Sequence, residues 1–203
     1  MRLTQLDVVN ACLATMGESP LVAIDDDHPY VQAAITALNN ANTVIQSEGW
    51  WFNTDYQNIT LDPGTGFAYA PADALSVETT QAAVIARGTR LYNQMQSSYD
   101  LRPVFGAGPI QAAIIREVPF SDIPTMAQHA VSTRARLDFQ SSFDGDDTKY
   151  SKIGGEYSLA HRLLKAEHTR QSRVNLFNST SMQEKLRLMR PMSRGMRVGP
   201  RNW

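Results

Sequence analysis

The chain has 203 residues, 42% of them hydrophobic and 19% charged, which suits one globular domain with appendages or one domain carrying an insertion. No apolar run approaches the roughly 18 residues of a membrane span, the polar-interrupted N-terminus lacks the apolar core of a secretory signal, and a single cysteine, Cys12, excludes an internal disulfide framework and a cysteine-cluster zinc site. The net charge of −1 is unevenly spread: residues 179–203 hold Lys185, Arg187, Arg190, Arg194, Arg197 and Arg201 against Glu184, hence +5, which leaves −6 on residues 1–178.

Thr4 and Asp7 have the spacing of a capping box, ahead of an apolar helical stripe of Val8, Val9, Cys12, Leu13 and Met16 with Gly17 as its C-terminal stop. Glu18-Ser19-Pro20 breaks that helix. A second helix is expected with Pro29 in its first turn, Asp25, Asp26 and Asp27 before it, and Val31, Ala34, Ile35, Leu38, Ala41 and Ile45 along one face up to Glu48-Gly49. The short connection predicts that the two helices pack antiparallel.

At Trp50 the periodicity changes. Residues 51–61 are rich in aromatic and β-branched types and end at Asp62-Pro63-Gly64, so they read as a strand entering a turn. Residues 83–86 and 89–92 flank Arg87-Gly88 as a tight hairpin, and 110–118 is a further strand. Helical pattern returns near Pro124, with Asp122 at its start, and runs through Ile123, Ala127, Ala130, Val131, Arg134 and Leu137 to Phe143-Asp144-Gly145. A last helix is expected to bury Ile153, Tyr157, Ala160, Leu163, Leu164 and Val174. The whole reads as α+β: an antiparallel helix bundle (1–50 and 119–178), an inserted antiparallel β region (51–118) and a basic C-terminal arm (179–203).

Few groupings suggest chemistry. Asp25-Asp26-Asp27-His28 could hold a hard cation, but acids ahead of a helix also suit its dipole, and that reading is preferred. Residues 143–148 lack the alternating acids, central glycine and terminal Glu of a calcium loop, so a solvated connection is expected. His161 and His168 are seven apart, whereas helical metal pairs need three or four. No sequence signal links His28 or His129 to a nucleophile. Asp55 and Glu78 could in principle flank a glycosidic bond, as in a tail-borne peptidoglycan or polysaccharide hydrolase, yet such pairs arise by chance among so many acids. Trp50, Trp51, Phe52 and Tyr56 could stack on bases or sugars, and are read instead as an anchor between bundle and β region. A DNA-binding regulator is disfavoured by the acidic body and the lack of a recognition-helix motif. No catalytic residue, metal ligand or cofactor site is assigned.

Three stretches resemble the tail tubular protein A family of short-tailed podoviruses. They are VNACLATMGESPL at 9–21, NNANTVIQSEGWWFNTDYQNITLDP at 39–63 and YAPADALSV at 69–77 followed by the hairpin near Gly88. The resemblance implies a homododecameric head-to-tail adaptor ring between portal and tail nozzle, assembled in the host cytoplasm. The genome would pass through it without sequence-specific binding, and tail fibres would attach nearby. It also gives the arm a destination. Met182, Leu186 and Met189 form a short apolar stripe, Arg187, Arg190, Arg194 and Arg197 supply charge, and Trp203 would seek a pocket; all eight are expected to meet the portal.

Overall fold

The structure is a computed structural model that describes residues 2–24, 27–80, 83–106 and 108–171. Helix α1 (Gln5–Thr15) begins as its sequence dictates: Thr4 Oγ1 accepts from Asp7 N–H and the Asp7 carboxylate accepts from Thr4 N–H. It ends at Gly17, whose φ of 80° lets Gly17 N–H reach Ala14 O and Glu18 N–H reach Leu13 O, both at 3.2 Å. Helix α2 (Val31–Gln46) starts later than expected. Pro29 lies in a preceding turn, where Val31 N–H donates to His28 O, and Tyr30 takes the cap position without a side-chain bond.

The sheet follows. Strand β1 (Thr54–Ile59) is shorter than the expected 51–61 run, because residues 50–53 form a turn closed by the Asn53 side chain on Trp50 N–H at 2.7 Å. Strand β2 (Ala74–Thr79) has no counterpart among the strands expected from the sequence. Strands β3 (Val84–Arg87) and β4 (Arg90–Asn93) make the expected hairpin, but its two turn residues are Gly88 and Thr89, since Arg87 pairs with Arg90. A single-turn helix, α3 (Arg102–Phe105), precedes β5 (Ile110–Arg116). The strand order is β1-β5-β2-β3-β4, every pair antiparallel. One face packs Ile59, Val77, Val84, Leu91, Ile110, Ala112 and Ile114 against Ala68 and Leu101 from the connecting segments.

Helix α4 (Thr125–Phe143) starts after Pro124, while Asp122 bonds Ser121 and caps nothing. Helix α5 (Asp147–Gln171) is capped by Asp146, whose Oδ1 accepts from Thr148 N–H at 2.8 Å and Lys149 N–H at 3.2 Å. Helices α1, α2, α4 and α5 share a second core around Val8, Leu13, Leu38, Ile45, Val131, Phe139 and Leu164, with Trp50 inside it. Leu163, expected inside, is 49% exposed, because the buried stripe of α5 is narrow: Ile153 and Leu164 are buried, and Tyr157 and Ala160 half-buried. The chain is therefore an α+β protein with a helical core and a sheet core. Val174 lies outside the described residues.

Candidate assembly surfaces

Where the two cores meet, chain crosses twice, at 50–54 and 116–119, and amide side chains hold both crossings. Gln46 donates to Asn42 Oδ1 at 2.9 Å and to Val118 O at 2.7 Å, and its Oε1 accepts from Val118 N–H at 2.8 Å. Asn53 donates to Gln46 O and Arg116 O at 2.9 and 3.0 Å. Asn42, Gln46 and Asn53 are buried, so their amides need partners within the protein, and these bonds supply them. Gln128, also buried, accepts from Leu3 N–H and donates to Phe120 O. No sequence pattern flagged these four amides, because a polar residue within an apolar stripe looks like a break in it.

Trp50 is 2% exposed, with its indole N–H on Ile45 O at 2.6 Å. His161 and His168 do share a face of α5, and they use it to grip this ring, edge-on at centroid distances of 5.9 and 5.6 Å. His161 Nε2 also meets Glu48 Oε1 at 2.8 Å, and His168 Nδ1 accepts from Trp51 N–H at 3.2 Å. Their role here is packing. Trp51 and Phe52 pack against the helical core as an anchor should, whereas Tyr56 is 85% exposed on the open face of the sheet.

The acids are placed as follows. Asp25 and Asp26 lie outside the described residues. Asp144 accepts from Lys149 Nζ at 2.6 Å and from Gln140, contacts that hold its carboxyl below the ordinary range. Asp55 aligns with Ile114 and Val77 on the core side of the sheet, and Glu78 with Ala113 and Tyr56 on the other, so the two carboxylates cannot flank one glycosidic bond. Asp55 is instead paired with Arg116, 2.8 Å away, which also holds Asp73 at 2.7 Å. Among the described residues no three His, Cys, Asp or Glu side chains gather to hold a metal, and no helix is long and apolar enough to cross a membrane.

Two surface features escaped sequence reading. A groove of about 490 Å³ crosses the open sheet face between Tyr56, Glu78, Thr80, Gln111 and Ala113. At the hairpin, Arg87 lies 3.7 Å over the Tyr92 ring and Arg90 4.4 Å over Tyr99, and the two tyrosines are 4.9 Å apart. Stacking orders both guanidinium groups while leaving their N–H donors available to a partner.

A family model for tail tubular proteins matches residues 6–174, across both cores and the amide-held crossings. The chain belongs to the tail tubular protein family. It is also similar to the tail tubular protein A of Klebsiella phage KP34, 24% identical over 173 residues that cover 84% of this chain and 90% of that one. It is accordingly a structural protein of a phage tail. The arm residues expected to meet a portal, Met182, Leu186, Arg187, Met189, Arg190, Arg194, Arg197 and Trp203, lie outside the described residues of this tail tubular protein.

Proposed function

We propose that this tail tubular protein forms the adaptor ring between portal and tail nozzle, a dodecamer through which the genome leaves and near which tail fibres attach. The reading rests on one observation above the others: the family match spans nearly the whole described fold, 6–174. The fold suits the role. Its two cores are joined by hydrogen bonds from buried amide side chains, so a load on the sheet is passed to the bundle. Residues 1–50 with 119–178, residues 51–118, and residues 179–203 then act as bundle, β region and portal-binding arm.

A ring requires heterologous contacts, one face of a copy on a different face of the next. The arm, +5 against a body of −6, is suited to portal carboxylates through Arg187, Arg190, Arg194 and Arg197, with Met182, Leu186, Met189 and Trp203 as apolar contacts. Arms on one ring act together through effective concentration. The role involves no catalytic turnover and no cofactor. Electron microscopy of the protein mixed with purified portal tests it. The expected image is a portal carrying one added ring, absent when residues 179–203 are deleted. Undecorated portals with the full chain would remove the adaptor assignment, and full decoration by the deletion variant would remove the arm's part in it.

A further inference from the structure

The β3–β4 hairpin sets two like charges directly opposite each other. Arg87 pairs with Arg90 across the turn, and strand alternation puts both on the face of the sheet turned away from the buried Val84 and Leu91. Like charges in that position destabilise a hairpin. Each guanidinium is nevertheless held in place, Arg87 over the Tyr92 ring and Arg90 over the Tyr99 ring, with Phe67 5.7 Å from Arg90 on another side. Among the described residues no carboxylate meets either arginine, and neither guanidinium donates a hydrogen bond. Two ordered guanidinium groups side by side, with their charge unanswered, suit carboxylates that accept from them in pairs.

Carboxylates are concentrated at the end of the bundle away from the sheet. The α1–α2 and α4–α5 connections meet there: the Tyr30 and Phe143 rings stand 5.5 Å apart, and Lys149 Nζ donates to Thr15 O at 3.2 Å. In sequence, residues 16–30 and 144–149 hold seven acids and one lysine, a formal −6 that equals the whole net charge of residues 1–178. Lys149 is committed to Asp144, whereas Glu18 and Asp147 are exposed and meet no cation among the described residues. Helix α5 runs from this end to the sheet, where His168 meets Trp51, and its 25 residues span about 37 Å. That length separates the acids from the sheet, so the partner of the arginines belongs to another molecule. We propose that Arg87 and Arg90 of one copy dock on the acidic bundle end of the next copy in the ring, with Glu18 and Asp147 as accepting carboxylates. The inference rests on the adaptor-ring reading and gives it a heterologous contact, two different faces of one chain with complementary charge. Exposed ion pairs are weak singly, so the contact takes effect when a portal holds copies side by side.

Titration of the full chain onto purified portal, with ring occupancy counted by electron microscopy, tests it. Arg87→Glu/Arg90→Glu should need about tenfold more protein for half-occupancy, and so should Glu18→Arg/Asp147→Arg. The four changes in one chain should recover the unaltered titration, because every contact is then remade with its charges exchanged. Thermal unfolding checks that each variant is folded. A photoreactive benzoylphenylalanine in place of the exposed Thr89 should cross-link to residues 16–28 or 144–149 of another copy, joining isotopically heavy to light chains in mixed rings. Should a reversed variant fail to fold, this cross-link, made on a chain with its charges intact, decides. Undiminished rings from the reversed hairpin, no recovery in the fourfold variant, or cross-links to the same chain, to portal or to DNA would each overturn the contact and leave the adaptor reading standing. Undecorated portals with the unaltered chain would remove the adaptor reading and the contact with it.

Discussion

Gln46 shows what a single side chain contributes here. Its side chain is fully buried, and its amide satisfies both Val118 N–H and Val118 O. Gln46→Ala should therefore cost about 1–3 kcal/mol, the penalty for leaving polar groups without partners, and chemical denaturation will measure it. Gly49 is constrained twice: its φ is 75°, and an added Cβ would stand 2.8 Å from Ile115 Cδ1. Gly49→Ala should destabilise by more than about 1 kcal/mol, read in the same experiment. Cys12 is fully buried, and burial pushes its thiol up to about 12. Alkylation at pH 8 should leave the native protein unmodified and proceed only as the chain unfolds. Gly49 was legible as a helix stop, since glycine tolerates the left-handed region. Gln46 was not, because what it binds is 72 residues away.

At the scale of elements, the helices were legible and the sheet only in part. Local signals define α1: a capping box at one end, a left-handed glycine at the other and an apolar stripe between. Strand β2 gave no such signal. Ala74–Thr79 follows Pro71 and Asp73, mixes apolar with polar residues, and is held by partners up to 42 residues away, Ala74 on Arg116. Non-local pairing of that kind leaves little trace in local composition. The loop before α5 read as solvated acids of no consequence, yet each of two has a task. Asp146 caps the helix, so Asp146→Ala should lower stability by about 1 kcal/mol while Asp146→Asn, also a good cap, should not. Asp144 and Asp73 are held below the ordinary carboxylate value of 3.8, first by Lys149 and by Arg116 respectively. A depressed folded-state pKa gives stability that is complete above the ordinary value and lost as pH falls through the lower one. Thermal melts should thus be level from pH 7 to about 5 and fall below pH 4, with a shallower fall in Asp144→Asn.

At the scale of the molecule, the proposed adaptor role requires that copies stay apart until a portal is present. Residues 1–178 carry −6, so two bodies repel at low salt, and the formal net charge of the chain is only −1 because the arm offsets it. The apolar side chains on the helices are largely committed to the shared core, and the exposed large ones, such as Val44, Met126, Leu159 and Leu163, come from α2, α4 and α5 rather than from one element. Exposed apolar residues in such small groups, Leu159 with Leu163 one turn apart on α5 among them, are ordinary on monomeric surfaces. A ring built from such bodies needs many heterologous contacts that are each weak alone, and a template that raises their local concentration changes the balance. The isolated protein should then scatter light as a monomer at micromolar concentration and oligomerise only when portal is added. A stable ring at micromolar concentration without portal would show that the contacts between bodies suffice by themselves. Raising the salt tells the two contributions apart, because screening weakens both the repulsion between bodies and the attraction of arms for carboxylates. If arm-to-portal contacts drive assembly, salt should release rings from portals; if repulsion alone holds copies apart, salt should produce rings in the absence of any portal.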